Sequence, residues 1–143
     1  MSMEAMTLFD EINPPALGVP RGFNHGLVVH PGWSLLFVAG QTATAVDGDV
    51  HDRAFVSQFT AALDKTLAVV REAGGAADHI VRMTVYVTDM AAYRESRPCL
   101  NTIWRERMGR HYPAMALVAV TELVDRHASV EIEATAALPP APR

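Results

Sequence analysis

Between Ala54 and Thr88 the hydrophobic pattern changes its period, and that change restricts the folds open to the chain. From Ala54 to Ala73, Phe55, Phe59, Ala62, Leu63, Thr66, Leu67 and Val70 recur at helical spacing and make one stripe. Asp52 is placed to cap this helix and Gly74-Gly75 to stop it. Full burial of a large apolar side chain is worth roughly 1.5–3 kcal/mol, so the stripe requires a partner surface. From Ile80 to Thr88 the alternation is strict. Val81, Met83, Val85 and Val87 share one side, and Arg82, Thr84, Tyr86 and Thr88 the other.

Short β-rich runs precede the helix. HGLVVH (25–30) and LLFVAG (35–40) flank the turn signal Pro31-Gly32 and are expected to form a hairpin; AVDGD (45–49) is a loop. Asp89 opens a second helix over Ala91–Met108, with Tyr93, Leu100, Ile103 and Trp104 inward, Pro98 kinking or restarting it, and Gly109 at its end. Two strands follow, Met115–Leu123 and Ser129–Ala137, joined through VDRHA. In the last, Val130, Ile132, Ala134 and Ala136 share one face and Ser129, Glu131, Glu133 and Thr135 the other. The order is β-β-α-β-α-β-β, an α+β fold with two helices on one face of a five-stranded sheet. The opposite face is semi-apolar, and a closed homo-oligomer in which sheet faces meet is the economical way to cover it. Residues 1–22, with Pro14, Pro15, Gly18 and Pro20, are expected to be an irregular arm, 23–138 a single domain, and 139–143 a structureless tail.

A net charge of −4 builds no positive field, so nucleic acid is not an expected partner, and Arg105, Arg107 and Arg110 read as a solvated helix end. Cys99 is the only cysteine; it excludes an intrachain disulfide, fits a reducing compartment, and is expected to be a buried, inert thiol. No apolar run approaches bilayer-spanning length, and the first residues carry no basic segment ahead of an apolar one; a cytoplasmic protein without membrane contact is expected.

Six histidines are scattered without metal-ligand spacing, so no metal site is expected. Nucleophile elbows, phosphate loops and dinucleotide fingerprints are absent. Glu131 and Glu133 share a strand face, as a solvated surface or as one wall of a site.

Five stretches together resemble the RidA/YjgF family of reactive-intermediate deaminases. They are LLFVAGQTAT (35–44), LAVVREAGG (67–75), DHIVRMTVYVTDMAAY (78–93), HYPAMALVAV (111–120) and SVEIEATA (129–136), in family order and spacing. The resemblance spans about Phe23 to Ala136. It implies a chorismate-mutase-like α+β fold, a homotrimer with ligand clefts between subunits, and hydrolysis of enamines or imines without a cofactor. In deaminating members an arginine follows Pro-Ala and grips the substrate carboxylate. Here the sequence is Pro113-Ala114-Met115, and a thioether supplies neither the charge nor the paired donors of a guanidinium. The family tyrosine corresponds to Phe23, the serine before Gly40 to Ala39, the asparagine of the second helix to Arg97, and the cysteine beyond the arginine to Leu117. The last-strand glutamate, which orients water in the family, is kept as Glu131.

The resemblance therefore implies Glu131 as the catalytic carboxylate, with Phe23, Ala39, Gly40, Arg97, Ala114, Met115 and Leu117 as substrate contacts. Backbone groups near Gly40 and Ala114 would polarise the substrate, and Arg97 is either a relocated anchor or a surface residue. The expected activity is hydrolysis or deamination of a small enamine, imine or related compound other than an ordinary 2-imino acid. The alternative is a non-catalytic, small-molecule-binding or regulatory trimer. Ribonuclease activity has no support in an acidic chain with no histidine pair placed for RNA cleavage.

Overall fold

The computed structural model describes residues 8–141. In chain order it contains β1 (Asp10–Ile12), β2 (Gly26–Val28), β3 (Ser34–Gln41), α1 (Phe55–Glu72), β4 (Ile80–Val87), α2 (Met90–Met108), β5 (Ala114–Ala119) and β6 (Val130–Leu138). The main sheet has the order β3-β6-β4-β5; β6 is antiparallel to both neighbours and β5 is parallel to β4. Both helices pack on one face. The α1 stripe buries Phe59, Ala62, Leu63, Thr66, Leu67 and Val70 against Met83, Val85, Val87, Val130, Ile132, Ala134 and Ala136. Leu100, Trp104 and Met108 of α2 complete that core. Asp89 caps α2 by accepting from the backbone N–H of Ala92 (3.0 Å), and Gly109 ends it with φ 63°.

Several expectations are corrected. HGLVVH and LLFVAG do not form a hairpin. β2 pairs with β1 in a separate two-stranded sheet, while β3 takes the long strand β6 as its partner, from Ser34↔Leu138 onward. The main sheet accordingly has four strands instead of five. Residues 10–12, read as irregular arm, are a strand; residues 1–7 and 142–143 lie outside the described residues. Phe9, Val81 and Ala137 form a second small core with Leu8, Leu27, Val29 and Trp33. Val81 joins it because the β4–β6 register slips by one residue between Ile80 and Arg82, which separates Val81 from Met83.

Asp52 is not the N-cap of α1. That position is Ala54, and Asp52 accepts from its N–H (2.9 Å) just ahead of the helix. α2 runs unbroken through Pro98, because the carbonyl that loses its donor belongs to Arg94 on the exposed side, where water can satisfy it. β5 stops at Ala119, four residues short of Leu123, since its partner β4 ends at Val87. Cys99 is exposed; Leu100, Trp104 and Met108 take the inward positions of α2 and turn the thiol outward.

Candidate functional site

Glu131 sits at the start of β6, and the sheet holds it against the backbone of β3. Val38 pairs with Ala134 and Gln41 with Ile132, so three steps along β3 span two along β6. The extra residue is a bulge at Ala39–Gly40. The bare Cα of Gly40 lies beneath the Glu131 side chain. Burial raises the Glu131 carboxyl above the usual glutamate range, and the nearby carboxylates of Asp125 and Glu133 push it the same way. Both neighbours are engaged. Asp125 accepts from the Thr42 hydroxyl (2.5 Å), and Glu133 accepts from the Tyr86 hydroxyl (2.7 Å), a bond that also raises the tyrosine.

Met115 and Leu117 belong to a different place. In the sheet Met115 pairs with Met83 and Leu117 with Val85, so both point toward the helices. They floor a cleft of about 490 Å³ with Phe59, Val85 and Leu100, and Arg97 stands at its edge on α2. Tyr86 and Glu131 are also paired, but they alternate with Val85 and Ile132 and face the opposite, helix-free side. Within one chain, Glu131 and Met115 therefore lie on opposite faces of the sheet.

The predicted residues divide accordingly. Arg97, Met115 and Leu117 share the cleft. Phe23 lines the adjoining hollow, which has Gly22 and Tyr112 in common with the cleft, and its ring meets His25 edge-on at 5.0 Å. Ala114 pairs with Arg82, so its side chain points to the helix-free face, while its backbone bridges to Asn24 beside the same hollow. Gly40 and Ala39 are across the sheet with Glu131.

Arg21, Asn101, Trp104, Arg105 and Tyr112 also line the cleft, and the sequence reading missed all five as site residues. Arg105 was grouped with Arg107 and Arg110, whereas Arg107 alone of the three pairs with Asp64. The available signal was the four-residue step Arg97, Asn101, Arg105, which sets these side chains on one ridge of α2. Arg21 had no such signal, because its position depends on the path of the arm. Trp104 and Tyr112 stack at 5.6 Å with an interplanar angle of 7°. Among the described residues no group of three or more His, Cys, Asp or Glu is placed to hold a metal ion, and no helix is long and apolar enough to cross a membrane.

Two helices packed on one face of this mixed sheet, with a glutamate held at a β-bulge and a cleft across the sheet that has an apolar floor and three arginines in its lining, define an α+β protein of the YjgF/Rid type. A family model described as Endoribonuclease L-PSP matches residues 17–138, and the chain belongs to that family, the RidA/YjgF family. A RutC family protein of Pyrococcus horikoshii is 30% identical over 109 residues, covering 72% of this chain and 79% of the relative. The crystal structure of a Rid family protein, YyfB of Yersinia pestis, superposes with a TM-score of 0.79 at 28% identity, covering 92% of this chain and 99% of that one. Escherichia coli TdcF, solved with bound serine, superposes with a TM-score of 0.63 at 26% identity, covering 89% and 94%.

Proposed function

We propose that this chain is a cofactor-free hydrolase or deaminase of a small enamine, imine or related metabolite, acting at a cleft completed by a second copy in a homotrimer. The observation that carries the reading is the opposition of Glu131 and Met115 across the sheet. A carboxylate on one face and a cleft on the other form a single site only when the Glu131 face of one copy meets the cleft of another. The charges favour that docking: three arginines line the cleft, and the opposite face carries Glu131. The helix-free face also leaves Phe37 74% and Leu35 53% exposed on β3, an apolar surface suited to burial between copies. The serine held by TdcF supports a small-molecule ligand in a fold of this kind.

The chemistry needs one proton-carrying group. An enamine takes a proton on carbon from the Glu131 carboxyl and becomes an iminium ion. The carboxylate then accepts a proton from water as the water oxygen bonds to the iminium carbon. The resulting carbinolamine transfers a proton to nitrogen and expels ammonia, leaving the carbonyl product; overall, enamine and water give carbonyl compound and ammonia. A glutamate whose pKa burial raises above the ordinary value is better placed to give up and take back a proton. Met115 provides no carboxylate clamp, so ordinary 2-imino acids are poor substrates on this reading.

Light scattering is expected to give a trimer, and Glu131→Gln to abolish ammonia release from an enamine panel without changing the assembly. A well-behaved monomer, or full turnover in the Gln variant, refutes the proposal. A second reading, a binding or regulatory trimer without chemistry, is favoured by the positions where a functional group is replaced: Phe23, Ala39 and Met115. Recovery of a stabilising ligand unchanged after prolonged incubation would select it.

A further inference from the structure

The cleft between α2 and β5 has an unusual electrostatic composition for a chain of net charge −4. Its floor is apolar, formed by Phe59, Val85, Leu100, Met115 and Leu117, and the stacked rings of Trp104 and Tyr112 supply a flat wall. Its edge carries Arg21, Arg97 and Arg105 and no carboxylate. Among the described residues none of the three forms an ion pair, whereas Arg107, two residues beyond Arg105, is bound to Asp64. Arg97 lies over the Tyr93 ring, with its guanidinium carbon 5.7 Å from the ring centroid.

From this arrangement we infer that the cleft binds an aromatic organic dianion. The inference rests on the proposed site for its location and makes no use of the hydrolytic chemistry. Three guanidinium groups line one hollow, and their summed field favours a doubly charged ligand over a singly charged one. A single negative charge leaves two of them uncompensated. On the proposed assembly Glu131 of a second copy brings one negative charge to the cleft, and a doubly charged ligand balances the other two cations. Arg97 and Arg105 are eight residues apart on the helix, about 12 Å along its axis. Two long side chains can close that span on one doubly charged head, or a ligand with two separated acid groups can bridge it. The flat wall and a volume of about 490 Å³ leave room for an aromatic body beneath the charged head. The replacement of arginine by methionine at position 115 extends the apolar floor and leaves the cations at the edge.

The test is calorimetric titration of the intact protein with phenyl phosphate, phenylsuccinate, phenylacetate, benzyl alcohol and inorganic phosphate at constant ionic strength above pH 7.5. At least one of the two aromatic dianions is expected to bind tenfold or more tightly than phenylacetate, with inorganic phosphate and benzyl alcohol weaker still. Whichever dianion is preferred identifies the head group as phosphate or paired carboxylate. Arg97→Ala and Arg105→Ala are each expected to weaken that binding by about 10–100-fold, the loss of a charged hydrogen-bonded contact. Arg94→Ala, on the same helix but outside the cleft, is expected to leave it unchanged. Phenylacetate binding as tightly as both dianions overturns the inference, as does full affinity in both cleft variants or an equal loss in Arg94→Ala. Glu131→Gln separates this inference from the proposed chemistry. Dianion binding that survives in that variant while no enamine is turned over by the unmodified protein refutes the hydrolase and upholds the cleft. Turnover without dianion preference does the reverse.

Discussion

A Cβ placed on Gly40 would lie 2.9 Å from Cδ and 3.1 Å from Cγ of Glu131. No backbone atom is among its nearest neighbours, and Gly40 has no positive φ, so its backbone conformation is open to alanine. Gly40→Ala is therefore expected to move the carboxylate and leave the fold intact. Turnover should fall at least tenfold on the proposed mechanism, since a misplacement of about 1 Å can reduce a rate by 10²-fold. The melting temperature should move by no more than a few degrees. Activity and thermal melts on the same preparation check this, and a fully active alanine variant removes the need for the close contact.

The raised pKa of Glu131 sets the pH dependence of its contribution to stability. In the folded chain the carboxyl holds its proton to higher pH than in the unfolded chain. Between the two pKa values the folded state binds more protons, so stability falls as pH rises through that window. The penalty is absent below the ordinary glutamate pKa and complete above the folded one. Glu131→Gln removes it, and at pH 7 is expected to raise the melting temperature by about 1–3 °C. Near pH 3.5 the gain should vanish. Equal gains at both pH values would show that packing, and not ionisation, separates the two side chains. Loss of activity in the same variant, expected at 10²–10⁴-fold for removal of a proton-transfer group, would then be a chemical effect in a more stable protein.

Elements with long, uniform periodicity were legible in the sequence. The α1 stripe, the alternation of β6 and of β4 from Arg82 onward, and the caps at Asp89 and Gly109 follow from local patterns, and burial completes them; Val81, ahead of the β4 slip, does not follow. Pairing was less legible. The runs around Pro31-Gly32 carry every local signal of a hairpin, yet β3 pairs with a strand about a hundred residues away, because β6 is nine residues long and one of its faces is apolar. Ala39–Gly40 gives no sign of a bulge, since a bulge is defined by the register of two strands and the sequence presents one at a time. The same limit hid Arg21, which reaches the cleft only through the path of the arm, and Gln58, a buried polar residue beside the α1 stripe.

Gln58 ties α1 to the segment that leads into β6. Its side-chain amide donates to the carbonyls of Asp52 (3.1 Å) and His127 (3.0 Å), and its carbonyl accepts from the N–H of Ser129 (2.7 Å). His127 has φ 67°, a left-handed conformation that the surrounding bonds must hold. Truncation removes the partner of three part-buried backbone groups. Gln58→Ala is expected to lower stability by about 2–4 kcal/mol, which is the unmet-bond penalty together with a small cavity. The change should also loosen Ser129–Glu131, so activity should fall more steeply with temperature than in the parent. Denaturant unfolding gives the first quantity, and amide exchange at Ser129 the second. An exchange rate at Ser129 equal to that of the parent would mean that the bond does not hold this segment.

Met115→Arg tests what position 115 controls. The residue is half-buried at the margin of the main core and opens into the cleft beside three other cations. A fourth guanidinium there is expected to lower stability by about 1–2 kcal/mol, from lost packing and like-charge repulsion. In return, two charge-assisted bonds to a ligand carboxylate become possible at the cleft floor, each worth roughly 1.5–3 kcal/mol. Turnover of imines generated from ordinary amino acids by an oxidase is expected to rise by about 10–100-fold in kcat/KM, mainly through KM. Met115→Leu, which keeps the wall apolar, should leave that low activity where it is. If the arginine variant folds and assembles like the parent but turns over these imines no faster, the missing guanidinium is not what excludes them. Selectivity would then lie with Arg97, Arg105 and the aromatic wall.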